Sequence, residues 1–323
     1  MNKRKYYLIY VLMLLPLLIS AQNNISSDYA IINLVDQLDS IPGSISFQNK
    51  LEVNNKGGHL QGVQYLNYKQ NDYYIFSGSS DSYSYYSVVK MGKEKSVISV
   101  NKIRTKPYKH AGGFQIYNGY MAIGVEDNNE RDKSEVYIYR IDNPEDLPRE
   151  PLEIIERIGT PKRGTAGCVG IIEIGDYVIV VVGDWDTEHL DFYNIKRKKL
   201  GIGGESFELK YSINTENIDK SEWNNNSCLP YQNLNFIKDD FDNLYLVGMA
   251  TNDNEENILD LFRIETEEFS TFKLRKIHTK RFAQNEDSKF NWGAGVYLSD
   301  DNKLRMFSCG AHILKKSEIY IYE

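Results

Sequence analysis

Two histidines occupy matching surroundings 51 residues apart. His59 opens His59-x-x-Gly62-Val63-Gln64, and His110 opens His110-x-x-Gly113-Phe114-Gln115. Imidazole titrates near neutrality, moves protons and ligates metals. A carboxamide adds two N–H donors and a carbonyl acceptor. A second set carries carboxylates: Gly78, Gly124 and Gly183 are each followed three residues later by Asp81, Asp127 and Asp186. His59, Gln64, His110, Gln115, Asp81, Asp127 and Asp186 are therefore the candidate ligand-binding residues. Glu126, Asp184, Glu188, His189, Asp253 and His312 stand in the same class of loops. Converging carboxylates could coordinate a hard cation such as calcium. With the imidazoles and amides they could instead hydrogen-bond a small polar or glycan ligand. The plainer alternative is that Asp after Gly closes a turn through its own side chain and His ties down a strand start. Spacing assigns no residue as catalytic.

The elements that must position these groups repeat. Five segments share one pattern of small residues, apolar strand, turn, apolar strand, polar loop and aromatic strand. Aligned at Val63, Phe114, Val169, Leu234 and Ala294, the copies are 51, 55, 65 and 60 residues apart. Repeats of this length and strand content predict an all-β, five-bladed β-propeller with four-stranded antiparallel blades. Fourth strands are expected at Ser96–Ile103, Pro151–Ile158, Ser206–Ile213 and Thr271–Ile277, where apolar and polar residues alternate as on a strand with one wet face. The fifth copy lacks one. Ser44–Val53 has the outer-strand pattern and is expected to pair with Glu318–Tyr322, closing the ring within the last blade and removing an exposed edge. The loops entering each first strand and joining the second to the third then emerge on one face, which places the candidate residues at a channel mouth.

This arrangement resembles five-bladed propellers, including the secreted arabinanase and fructosidase group and the tachylectin-type lectins. The resemblance spans about residues 44–323 and implies a glycan-directed hydrolase or a lectin-like binding module. A glycosidase needs two carboxyl groups facing each other across the scissile bond. No Asp or Glu stands at the inner-strand starts, residues 59–64, 110–115, 165–170, 230–235 and 290–295, which counts against that group's chemistry. Binding at the mouth bearing His59 and His110 is the first reading; a metal-assisted or acid/base hydrolase using the same face is the second. No serine-nucleophile elbow, phosphate-binding glycine loop or HExxH sequence occurs.

The flanks have their own logic. Lys3-Arg4-Lys5, the 14 apolar residues Tyr6 to Ile19, and Ser20-Ala21 before Gln22 read as a cleaved signal peptide over residues 1–21. Export to a periplasm or beyond the cell is expected, with no membrane span. Residues 22–43 form an arm in which 28–38 has helical spacing up to Pro42-Gly43. Without the leader, 35 basic face 45 acidic side chains, a balance that repels nucleic acid. Cys168, Cys228 and Cys309 lack the spacing of a zinc site. Cys228 and Cys309 could meet across neighbouring blades, whereas Cys168 suits a small buried position. Trp223 lies in the long Asn214–Pro230 loop; it and Trp185 could stack on a ligand or pack between blades, and Trp292 is expected in the core.

Overall fold

The computed structural model describes residues 28–323; the leader and the start of the arm lie outside them. One helix, α1 (residues 28–37), precedes twenty strands. After β1 (Gly43–Gln48) the strands fall into runs joined by antiparallel pairing. The first run is β2 (Leu60–Tyr68), β3 (Asn71–Ser79), β4 (Tyr83–Met91) and β5 (Lys95–Thr105). The second is β6 (His110–Tyr117), β7 (Tyr120–Glu126), β8 (Lys133–Arg140) and β9 (Glu153–Ile158). The third is β10 (Cys168–Ile174), β11 (Tyr177–Gly183), β12 (His189–Lys196) and β13 (Glu208–Asn214). The fourth is β14 (Asn233–Lys238), β15 (Leu244–Thr251), β16 (Asn257–Glu267) and β17 (Thr271–Phe282). β18 (Ala294–Leu298), β19 (Leu304–Cys309) and β20 (Lys316–Tyr322) end the chain, and β1 pairs antiparallel with β20. Single parallel bridges, Gln48–Ser96 and Cys168–Gly113, merge four runs into two eight-stranded sheets; the other run is a four-stranded sheet.

Burial follows position within a run. β7 and β11 are buried from their second residue onward, whereas β9 alternates exposed and buried residues. A strand covered on both faces needs continuous apolar character, and one with a wet face needs alternation. The apolar side chains collect in five clusters, each between consecutive runs. One joins the last run to the first, with Phe47, Leu60 and Phe76 beside Phe307 and Ile319. The expected β1–β20 pairing is present but shorter: β1 stops at Gln48 instead of reaching Val53. The reason is local, because Asn49 Oδ1 accepts the Leu51 amide (2.9 Å) and bends the chain in an Asx turn.

The arm is packed. Ile31, Val35 and Leu38 are buried with Tyr245, Val247, Phe282 and Tyr322. Asp28 meets Arg275 at 2.8 Å, and Asp36 meets His278 at 2.8 Å. Among the described residues no helix is long and apolar enough to cross a membrane. All three cysteines are free, so the Cys228–Cys309 pairing does not form. The two thiols belong to different inter-run clusters, Cys228 between the third and fourth runs and Cys309 between the fifth and first. Trp223 is buried in the first of these clusters, where its indole N–H donates to Leu274 O (3.1 Å). Trp292, expected in the core, is only half-buried.

Candidate functional site at the ends of the axis

The first strands of the runs meet along a crowded axis. A Cβ on Gly113 would lie 2.0 Å from Gln232 O, and one on Gly295 would lie 2.0 Å from Val63 O. Only glycine permits backbones to approach that closely. The middle of the axis is closed by carboxamides. Gln115 Nε2 donates to Phe236 O (2.7 Å), while its Oε1 accepts the Ile171 (2.9 Å) and Phe236 (2.8 Å) amides. Gln64 Nε2 donates to Asn235 Oδ1 (3.0 Å), which also accepts the Val296 amide (2.9 Å). Gln64 and Gln115 are each 2% exposed. These two predicted ligand residues therefore lie inside the axis, not at its mouth. Each amide uses its oxygen and one N–H bond to tie first strands together across the gap between runs.

The histidine end lies above this plug. His59 is half-buried; its Nδ1 pairs with Leu60 O (2.7 Å), and Gln61 Nε2 lies 3.3 Å from both ring nitrogens. His110 Nε2 is 3.8 Å from Glu126 Oε1. Burial pulls His110 down to about 3, helped by the positive charges of His59, Arg131 and Lys109. Burial likewise pushes the fully buried Glu126 up to about 7, against the hydrogen bond its Oε2 accepts from Ala166 N (2.8 Å). Both shifts favour the neutral forms over an ion pair, with the carboxyl half-protonated at about pH 7. Glu126 Oε1, Gln61 Oε1, Asn233 Oδ1 and His312 Nδ1 are buried without a hydrogen-bond partner. Asn233 and Gln61 adjoin, since Asn233 Nδ2 donates to Gln61 O (3.0 Å). Burial lowers His312 as it does His110.

The three aspartates do not join this group. Asp81 accepts from Asn54 Nδ2 (3.0 Å) and Ser82 Oγ (2.7 Å), bonds that hold its carboxyl below the usual range. Asp127 closes its own loop by accepting the Asn129 (3.0 Å) and Glu130 (3.4 Å) amides. Asp186 is exposed and pairs with Lys162 at 3.2 Å. Only Asp127 has the turn-closing geometry of the plainer reading; Asp81 is held by neighbouring side chains and Asp186 by a surface lysine. Nearby, Asp184 accepts both the His189 amide (2.7 Å) and its Nδ1–H (2.8 Å), and burial still raises its carboxyl. Trp185 is half-buried under the Arg131 guanidinium, 3.7 Å from the ring centroid. Among the described residues no group of three or more His, Cys, Asp or Glu side chains could hold a metal ion. Asp253 is exposed in the loop after β15.

Beyond the plug, the opposite end opens into a cavity of about 470 Å³. Tyr65, Tyr117 and Tyr297 line it, with Lys238 and the acidic turns around Asp240 and Asp300. Sequence reasoning missed this end entirely. The signal available was the pair of acidic turns Asp239-Asp240-Phe241-Asp242 and Asp300-Asp301, which recur between the first and second strands of two runs and read as ordinary turns.

No protein-family model matches the chain, and no curated protein sequence matches it. Among solved structures, the chain is similar to the α-L-arabinofuranosidase PaAbf62A of Podospora anserina in complex with cellotriose (9% identity, 88% of this chain and 98% of that one, TM-score 0.49). It is also similar to the GH43_1 enzyme of Xanthomonas citri complexed with xylose (10% identity, 92% of each chain, TM-score 0.48). A protein of unknown function from Dyadobacter fermentans is similar as well (10% identity, 83% of this chain and 80% of that one, TM-score 0.44).

Proposed function

We propose that the chain is an exported five-bladed β-propeller that binds a polar, hydroxyl-rich ligand of the glycan class at its histidine end. Five antiparallel runs of four strands, with core clusters linking each run to the next and the last to the first, support the blade count and the closed ring. With it goes the proposed domain organisation: a leader over 1–21, an arm over 22–43 and the propeller over 44–323.

The observation that carries the binding reading is the set of unpartnered buried polar atoms. Gln61 Oε1 and Asn233 Oδ1 lack donors and Glu126 Oε1 lacks any partner, beside half-buried His59 and His110. A buried polar atom without a partner costs about 1–3 kcal/mol, so folded proteins rarely keep several in one place without use. A ligand presenting hydroxyl groups, which both donate and accept, would satisfy them together. The half-buried Trp292 adds a flat apolar face of the kind that sugar rings pack against. Thermal-shift screening of the purified protein against a glycan panel and divalent cations tests this. A stabilising glycan is expected, its shift abolished by His59→Ala/His110→Ala and by Gln61→Met. A shift that survives both changes places the ligand elsewhere.

One observation favours a hydrolase as the second reading. Glu126 titrates at about 7 and keeps one oxygen unpartnered, the state a general acid needs at neutral pH. Release of reducing ends from a bound glycan, lost in Glu126→Gln with binding retained, would support it. Binding without turnover leaves the binding module.

A further inference from the structure

We propose that β9 is a pairing edge and that its occupant is the β9 of a second copy of this chain, giving a two-fold dimer. Each run ends in an outer strand, and an unpaired outer edge is a template for another strand unless something guards it. The other edges are guarded. β1 and β5 meet in the Gln48–Ser96 bridge. β17 carries Lys273, Arg275, Lys280 and Arg281, and the arm is ion-paired to it through Asp28 and Asp36. β13 has a register shift opposite Phe192 and Tyr193 and bears the Lys210–Glu208 ion pair. β9 has none of these devices: it holds no lysine, keeps an unbroken register against β8 from Glu153 to Ile158, and ends its sheet. Leu152 at its start, Ile154 and Ile158 are nevertheless exposed, Ile158 at 86%.

The backbone points the same way. Gly159 and Asp132 continue the β8–β9 register, and the Gly159 amide donates to Asp132 O (2.9 Å). Successive residues of a strand turn their amides to opposite edges, so Ile154, Glu156 and Ile158 hold theirs towards the open one. The sequence of the strand then names the occupant. A two-fold requires that if residue i faces j, then j faces i. Centring an antiparallel pair on Ile155 sets Leu152 opposite Ile158 of the second copy and Ile155 opposite itself. It also sets Glu153 opposite Arg157, whose guanidinium Asp191 holds in place (2.7 Å). Apolar meets apolar and opposite charges meet, the pairs that stabilise neighbouring strands. A centre on Glu156 would oppose two carboxylates, and one on Ile154 would set Leu152 against Glu156. Pro151 and Pro161 flank the segment and end the pairing, so the dimer closes on itself. Because β9 runs towards the histidine end, antiparallel pairing turns the two histidine ends in opposite directions.

Sedimentation velocity of the purified protein from about 1 to 200 μM tests the dimer. A monomer–dimer equilibrium is expected, weakened about tenfold by Ile158→Lys, which removes both copies of the Leu152–Ile158 contact. Ile158 is exposed in the single chain, so this change leaves folding intact. Ile41→Lys, at an exposed side chain on the arm, should leave the equilibrium unchanged. Cysteine pairing reads the register, with wild type as the control for Cys228. Oxidising a mixture of Leu152→Cys and Ile158→Cys should link the two variants, whereas Ile158→Cys alone should not link to itself. Monomer at every concentration overturns the proposal and leaves the edge to a strand of another protein. A dimer undiminished by Ile158→Lys overturns it too, as does Ile158→Cys linking to itself while the mixture does not link.

Discussion

His110 Nε2 stands 3.8 Å from Glu126 Oε1, and burial pushes the two groups in opposite directions towards their uncharged forms. The pair joins the start of β6 to the end of β7, which are directly opposed in the ladder. A charged pair here would have to shed its hydration inside the fold, and the neutral pair avoids that cost.

The pair makes stability depend on pH in two opposing limbs. Glu126, raised to about 7, holds a proton in the native state that the unfolded chain releases above its ordinary value near 4.5. The native state binds more protons in that window, so stability falls as pH rises from about 4.5 to 7. His110, lowered to about 3, does the reverse: the unfolded chain binds the extra proton, and stability falls as pH drops from 6.5 towards 3. Urea unfolding across this range should show Glu126→Gln more stable than wild type at pH 8, by on the order of 3 kcal/mol. His110→Asn should flatten the acid limb. Parallel curves for wild type and Glu126→Gln would disprove the assignment.

The axial amides should be structural. Gln115→Ala leaves the Ile171 and Phe236 amides and Phe236 O without their partner. Each orphaned buried group costs about 1–3 kcal/mol, so a loss of about 3 kcal/mol or more is expected in denaturant melts. A loss under about 1 kcal/mol would mean that water replaces the amide at no penalty.

A buried ion pair anchors the long loop between the third and fourth runs. Lys276 Nζ lies 3.0 Å from Asp260 Oδ2 and 3.0 Å from Asn225 Oδ1, and the Lys276 side chain is fully buried. Tyr231 (2.5 Å) and Thr279 (2.5 Å) hydroxyls donate to the same carboxylate. Lys276→Met strands the Asp260 charge and should cost about 3–5 kcal/mol. It should also speed amide exchange over residues 214–230; unchanged exchange there would show that Trp223 alone secures the loop.

Glycines of one sequence class should differ sharply. Gly295→Ala drives a methyl into the Val63 carbonyl and should unfold the protein or lower its melting temperature by more than about 5 °C. Gly203→Ala meets nothing within 4 Å and should be neutral within about 0.5 kcal/mol. Equal effects at both positions would contradict the close approach of strands at the axis.

Strand content and pairing partners were legible because they rest on local alternation. β9 and β17 announce a wet face through their polar residues, and Ser44–Tyr320 pairing follows from one outer strand being absent at the end and present at the start. Residue type also marked the histidine end, since matching repeats place His59 and His110 at matching strand starts. Local pattern could not separate Gln64 and Gln115 from them. The amides five residues after each histidine lie along one axis and bond across it, and only the convergence of separate strands decides that. The unpartnered oxygens of Gln61, Asn233 and Glu126 are likewise a tertiary fact, because a partner's absence depends on everything packed around the atom. So is the tyrosine-lined cavity. Its residues lie more than 230 positions apart, and closing the runs on one another is what makes them neighbours.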